Sequence, residues 1–133
     1  MNQIVEGKVK RYQEALERTM ALRCEMIEAE VSIIYAKKIM GISSWEKFMR
    51  GEVPKEKELL LKKELERVPK SIRERDKNFK NFQKAMFLKE KQTKELEEML
   101  GEDRQKIYAV VRGTVQDEGL KQNIEKELDI TLK

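Results

Sequence analysis

Ser71 to Leu100 reads SIRERDKNFKNFQKAMFLKEKQTKELEEML, and its periodicity decides how the chain is built. Ile72, Phe79, Met86, Thr93 and Leu100 stand seven apart, with Arg75, Phe82, Lys89 and Leu96 between them, and six of these nine positions are apolar. That spacing predicts one helix over 71–100 with a coiled-coil-like seam. Ser71 and Glu74 form a capping box at its start, and Gly101 closes its end.

A second stretch has the same character. Val9, Tyr12, Leu16, Met20, Cys24, Ile27, Val31 and Ile34 follow one another at spacings of three and four, close to the 3.6-residue helical repeat. Leu22, Met26, Ala29, Ile33, Ala36 and Met40 add a second apolar row, and Gly41 is a C-cap. The pattern predicts a helix over 3–40, about 55 Å long at 1.5 Å per residue. Two long helices of similar length, each with an apolar stripe, are expected to pair as an antiparallel coiled-coil-like hairpin.

Shorter elements fill the rest. A helix over 44–50 follows a Ser-x-x-Glu capping box at Ser43 and stops at Gly51, and one over 54–68 begins at Pro54 and carries Leu60, Leu61, Leu65 and Val68. Residues 103–132 read as a C-terminal helical segment, capped by Asp103 and striped by Leu120, Ile124, Leu128 and Leu132. Within it, Ile107 to Val111 (IYAVV) is also β-prone, and Gly113 interrupts it. No internal repeat or Gly/Ser linker is visible. The expectation is a single all-α domain over 1–133, an elongated helical bundle.

Composition agrees. Charged residues are 41% of the 133-residue chain, and Ala, Glu, Lys, Leu and Arg together exceed half of it, the usage of long helices. The 29 basic and 25 acidic side chains leave a net charge of only +4, which argues against disorder driven by like charge. Cys24 is the one cysteine, so no intramolecular disulfide forms. No apolar run is long enough to span a membrane, and the amino-terminal residues lack a signal-peptide core. A cytoplasmic location is expected.

Residues 35–54, YAKKIMGISSWEKFMRGEVP, resemble a DNA-reading helix–turn–helix, with Gly41 in the turn and Ile42 after it. Three positions depart from that pattern. Lys37 stands where the helix crossing needs a small side chain, and Lys47 and Arg50 where apolar residues face the core. In the alternative reading, Trp45, Phe48 and Met49 are an apolar plug on the bundle, and with Arg50 they form a candidate partner anchor.

Basic residues cluster from Lys62 to Lys84. Arg73, Lys77, Lys80 and Lys84 step by four, three and four on the expected 71–100 helix, with Lys70 nearby. Such a face suits a phosphate backbone or an acidic protein partner. Residues 95–133 are net acidic.

Chemistry for catalysis is missing. The chain has no histidine, which removes the usual neutral-pH base and the commonest metal ligand. Glu25, Glu28 and Glu30 lack the histidine partners of a helical carboxylate metal site, and Cys24 reads as a small core residue. No catalytic, metal or cofactor site is expected. The sequence points to a non-catalytic adaptor or assembly protein, self-associating or bound to another protein. The alternative is a nucleic-acid-binding protein using the basic face, with a degenerate helix–turn–helix at 35–54 as a minor variant.

Overall fold

A computed structural model describes residues 3–133, and every regular element among them is α-helical. The chain divides into two compact units, 1–73 and 74–133, where the sequence reads as one domain.

Neither long helix is continuous. Residues 3–40 form α1 (Gln3–Ala29) and α2 (Ile33–Met40). Between them Glu30 adopts a left-handed conformation at φ 59°. Its amide donates to the Ile27 carbonyl at 3.2 Å, and the Val31 amide to that of Met26 at 2.9 Å. This is the paired hydrogen-bond pattern of a Schellman stop. Ser32 then caps α2 by accepting from the Tyr35 amide at 3.1 Å. The side chains of Val9 and Tyr12, which open the expected stripe, lie outside the described residues.

The expected 71–100 helix is broken twice. Lys70–Glu74 forms α5 behind Pro69, Asp76 turns left-handed at φ 51°, and α6 (Lys77–Leu88) begins after it. Glu90 turns left-handed at φ 54°, with its amide on the Phe87 carbonyl and that of Lys91 on Met86. Then α7 (Thr93–Leu100) begins. The 71–100 stretch therefore offers no uninterrupted helix to match the 27 residues of α1 in a coiled-coil hairpin. The apolar phase of α6 runs into that of α7, so the heptad reads through a corner that the backbone does not cross. Ser71 lies inside α5, so its capping box opens no long helix.

In the first unit, α1 and α2 are followed by α3 (Trp45–Met49) and α4 (Lys55–Glu66). Leu22, Met26, Ala29, Ala36, Met40, Phe48, Val53, Leu61 and Leu65 are buried together, from helix faces that each supply an apolar residue every three or four positions. Two polar ties cross this core. Arg18 forks onto Glu58, at 2.8 and 3.3 Å, joining α1 to α4. The buried Thr19 hydroxyl lies 3.1 Å from the Met49 carbonyl at the end of α3. Gly51, at φ 74°, lies so near α1 that an added Cβ would come within 2.3 Å of the Ala15 Cβ.

In the second unit, α6 and α7 are followed by α8 (Arg104–Arg112) and α9 (Glu118–Leu128). The β-prone IYAVV stretch is helical and supplies Ile107, Val110 and Val111 to a core with Phe82, Met86, Leu96, Leu120, Ile124 and Leu128. Tyr108 meets Phe79 and Phe82 edge-to-face, at 5.4 and 5.8 Å, and the two phenylalanines stack 6.0 Å apart. Residues 129–133 return to α6, where the Asn78 amide and the Lys133 backbone exchange hydrogen bonds at 2.9 and 3.1 Å.

The two units repeat one local plan that residue identity conceals. Glu30 and Glu90 are left-handed stops with matching hydrogen bonds, eleven residues before the left-handed glycines Gly41 and Gly101. Gly51 and Gly113 then end the next helix. Their amides bond to Phe48 and Val110, and the following amides, of Glu52 and Thr114, to Lys47 and Ala109. Met26 pairs in position with Met86, Ala36 with Leu96, and Phe48 with Val110, all of them buried.

Candidate nucleic-acid interface

Gly101 is the pivot of the α7–α8 pair. Its φ of 66° and ψ of 30° are left-handed, a conformation open to glycine at no steric cost. Its amide and that of Glu102 both reach the Glu97 carbonyl, at 2.9 and 3.3 Å. Asp103 then caps α8, its carboxylate accepting from the Gln105 amide at 2.9 Å. Two helices are thus joined by residues 101–103 alone, the length and chemistry of a helix–turn–helix link.

The second helix of the pair has two distinct faces. Ile107, Val110 and Val111 are buried, which fixes its rotation, and Arg104, Gln105 and Arg112 are left exposed. Arg104 reaches Glu97 across the turn at 3.1 Å, and Arg112 lies 4.0 Å over the Phe79 ring. Lys106 is held between Glu102 at 3.4 Å and Asp117 at 3.3 Å. The hydrogen bond to Asp117, then that to Glu102, raises the Lys106 ammonium above the ordinary lysine range. The Leu120 amide, then Lys106, holds the Asp117 carboxyl below the ordinary carboxylate range.

The first unit has the corresponding turn in residues 41–44. Gly41 is left-handed, the Ile42 amide reaches the Lys37 carbonyl at 3.0 Å, and Ser44 caps α3 by accepting from the Lys47 amide at 3.2 Å. The cap is thus one residue later than the Ser43 box predicts. Phe48 is fully buried, with the half-buried Trp45 ring 4.7 Å away and Met49 partly covered. These three behave as the expected plug, so of the candidate anchor only Arg50 is exposed, paired with Glu52 at 3.3 Å. Ser43, Glu46 and Lys47 are exposed beside it.

The expected basic stripe is divided. Lys70 and Arg73 belong to α5, and Lys77, Lys80 and Lys84 to α6, with Asp76 at the corner between the helices. Arg73 donates to the Leu65 carbonyl, Lys80 is 4% exposed, and Lys84 is half-buried. Lys77 is exposed. No continuous cationic face on one helix results.

What sequence reasoning missed is the pair at Gly101. Six and nine residues after that glycine stand Ile107 and Val110, the apolar positions that Lys47 and Arg50 fail to supply after Gly41, while Glu97, four residues before it, departs from the small side chain of the helix crossing as Lys37 does. The signal was present in the sequence, in the other half of the chain.

Charge separates the units. Residues 74–133 hold thirteen basic and thirteen acidic side chains, so the whole excess of +4 lies in residues 1–73. Among the described residues no group of acidic and cysteine side chains is placed to hold a metal ion, and no helix is long and apolar enough to cross a membrane. No family model matches the chain, and no curated protein or solved structure is detectably similar to it.

Proposed function

We propose that the protein binds duplex DNA without catalysis, presenting α8 to the major groove as the second helix of a helix–turn–helix. The observation that carries this reading is α8 itself. It follows a three-residue glycine turn, is locked inward by Ile107, Val110 and Val111, and keeps Arg104, Gln105 and Arg112 in solvent. Arginine and glutamine match base edges in the major groove, arginine on guanine and glutamine on adenine. An exposed polar face on a helix whose rotation the core fixes is what such reading needs.

The test is a titration of labelled mixed-sequence duplex DNA with the protein at about 50 and about 200 mM salt. Binding in the micromolar range or tighter at the lower salt, weakened at least tenfold at the higher, is expected for several phosphate contacts. Arg104→Glu with Gln105→Glu should remove most of it while leaving helicity unchanged. Binding indifferent to that double substitution would take α8 out of the interface.

A second reading, self-association or attachment to another protein, is favoured by a different observation. Ile34, Tyr35, Leu59 and Leu60 on α2 and α4 are each about half exposed or more, with Ile34 at 67%. Absence of DNA binding, together with concentration-dependent sedimentation that Leu59→Glu and Leu60→Glu abolish, would put this reading first.

A further inference from the structure

The repetition of the α7–α8 turn in α2–α3 has a functional consequence that extends the reading of α8, and rests on it. We infer that both units engage the same DNA duplex, α8 at the base edges and the first unit on phosphates.

Three observations converge. The first is the shared backbone plan, in which Glu30, Gly41 and Gly51 set the same succession of stops as Glu90, Gly101 and Gly113. The helix after each turn thus follows a similar succession of stops, over a turn one residue longer in the first unit, and Arg50 and Arg112, each exposed, stand directly before the glycine that ends it.

The second is the contrast in what the two helices expose. Nine-residue α8 shows Arg104, Gln105 and Arg112, two of them close to its start. Five-residue α3 shows Glu46 and Lys47 and is followed by Arg50, paired with Glu52, with Lys38, Lys55 and Glu56 exposed on the flanking helices. A helix of little more than one turn places few side chains on base edges, whereas lysines and arginines around it suit phosphates, whose contacts position a protein without reading sequence.

The third is charge and tether. The chain's excess of +4 falls entirely in residues 1–73, and 74–133 are neutral, so the long-range attraction to a polyanion comes from the unit that reads least. Only residues 67–76, partly helical in α5, separate α4 from α6. A tether that short gives the second contact an effective concentration of order millimolar once the first is made.

The experiment uses the full chain and mixed-sequence duplexes of about 12 and about 30 base pairs, roughly one and three helical turns, at about 50 mM salt. The longer duplex should bind at least tenfold tighter after correction for its number of positions, with one protein chain per duplex. Lys47→Glu with Arg50→Glu should bring the longer duplex down to the affinity of the shorter one. It should also lower the dependence of log affinity on log salt by about one to two. Circular dichroism checks folding, and Lys47→Glu alone, at an exposed position with no ion pair among the described residues, serves where the double variant unfolds.

If the Lys47 and Arg50 variants leave affinity and salt dependence unchanged, while Arg104→Glu with Gln105→Glu abolishes binding, α8 acts alone. The two-unit inference then falls and the reading of α8 stands. If the unaltered protein binds neither duplex at this salt, both fall together.

Discussion

The two units solve the same backbone problem with different fillings. In the first, α3 has five residues and one fully buried aromatic, Phe48, beneath it. In the second, α8 has nine residues and three aliphatic side chains, Ile107, Val110 and Val111. The shorter helix ends earlier, and Gly51 is drawn so near α1 that only a hydrogen fits between it and Ala15; the site of Gly113 is open. Left-handed stops and glycine turns set the plan, while the volume beneath each helix is closed by whatever side chains fit. A repeat of this kind is carried by φ angles and hydrogen bonds, and residue identities need not follow it.

Gly51 and Gly113 offer the sharpest way to break the comparison. Gly113→Ala should cost about 1–2 kcal/mol, the steric cost of a left-handed alanine. Gly51→Ala adds to that cost a clash with Ala15 inside a packed unit, worth about 1–3 kcal/mol more, so about 2–5 kcal/mol is expected. Denaturant unfolding of the two variants measures the difference. Ala15→Gly in the Gly51→Ala background should return part of the clash. Equal costs at the two glycines would mean that the close approach in the first unit is not what distinguishes it.

A smaller effect is expected from the ties onto the fourth helix of each unit, from α1 in the first and from the turn between α6 and α7 in the second. Glu58 has a side-chain exposure of 6% and is neutralised by Arg18, itself 36% exposed, whereas Lys91 and Glu127 pair at 2.8 Å with 21% and 30% exposed. Arg18→Ala leaves a buried carboxylate without its partner and should cost about 2 kcal/mol, below the 3–5 of a fully buried pair because water reaches the guanidinium. Lys91→Ala should cost under about 1 kcal/mol. Arg18→Met combined with Glu58→Leu should recover most of the loss. If the combined variant is no more stable than Arg18→Ala, the cost lies in packing of the arginine stem and not in the stranded charge.

Much of this architecture is legible in the sequence where glycine or a short polar cap marks it. Gly41, Gly101 and Gly113 end helices as expected, Asp103 caps α8, and Leu61, Leu65, Leu120, Ile124 and Leu128 are core. The corners at Glu30, Asp76 and Glu90 are not legible, because a charged residue in a left-handed conformation looks like any helix-surface residue. Their positions join amphipathic helices whose apolar phases happen to agree, so Met86, Thr93 and Leu100 read as one seam. The candidate site was obscured for a related reason. Around Gly41 the helix–turn–helix pattern stands beside the conspicuous Trp45 and Phe48, whereas its apolar positions are filled by Ile107 and Val110 after Gly101.

The smallest expected difference concerns the fourth helices and depends on pH. Asp117 caps α9, accepting from the Leu120 amide at 3.0 Å, while α4 begins behind Pro54 with no side-chain cap. The Leu120 amide and then Lys106 hold the Asp117 carboxyl below its ordinary range, so the ionised form belongs to the folded state. Its contribution is therefore complete above the unfolded value of about 3.9 and is lost as pH falls through the lower folded value. Amide hydrogen exchange at Leu120 should accelerate relative to the start of α4 as the solution is acidified below about pH 4. Asp117→Asn keeps an acceptor at the cap and should remove this pH dependence while leaving the helix capped. Were the two helix starts to loosen in parallel on acidification, in the unaltered chain and in the variant alike, the titrating group would lie elsewhere and the cap at Asp117 would be no more than one acceptor among others.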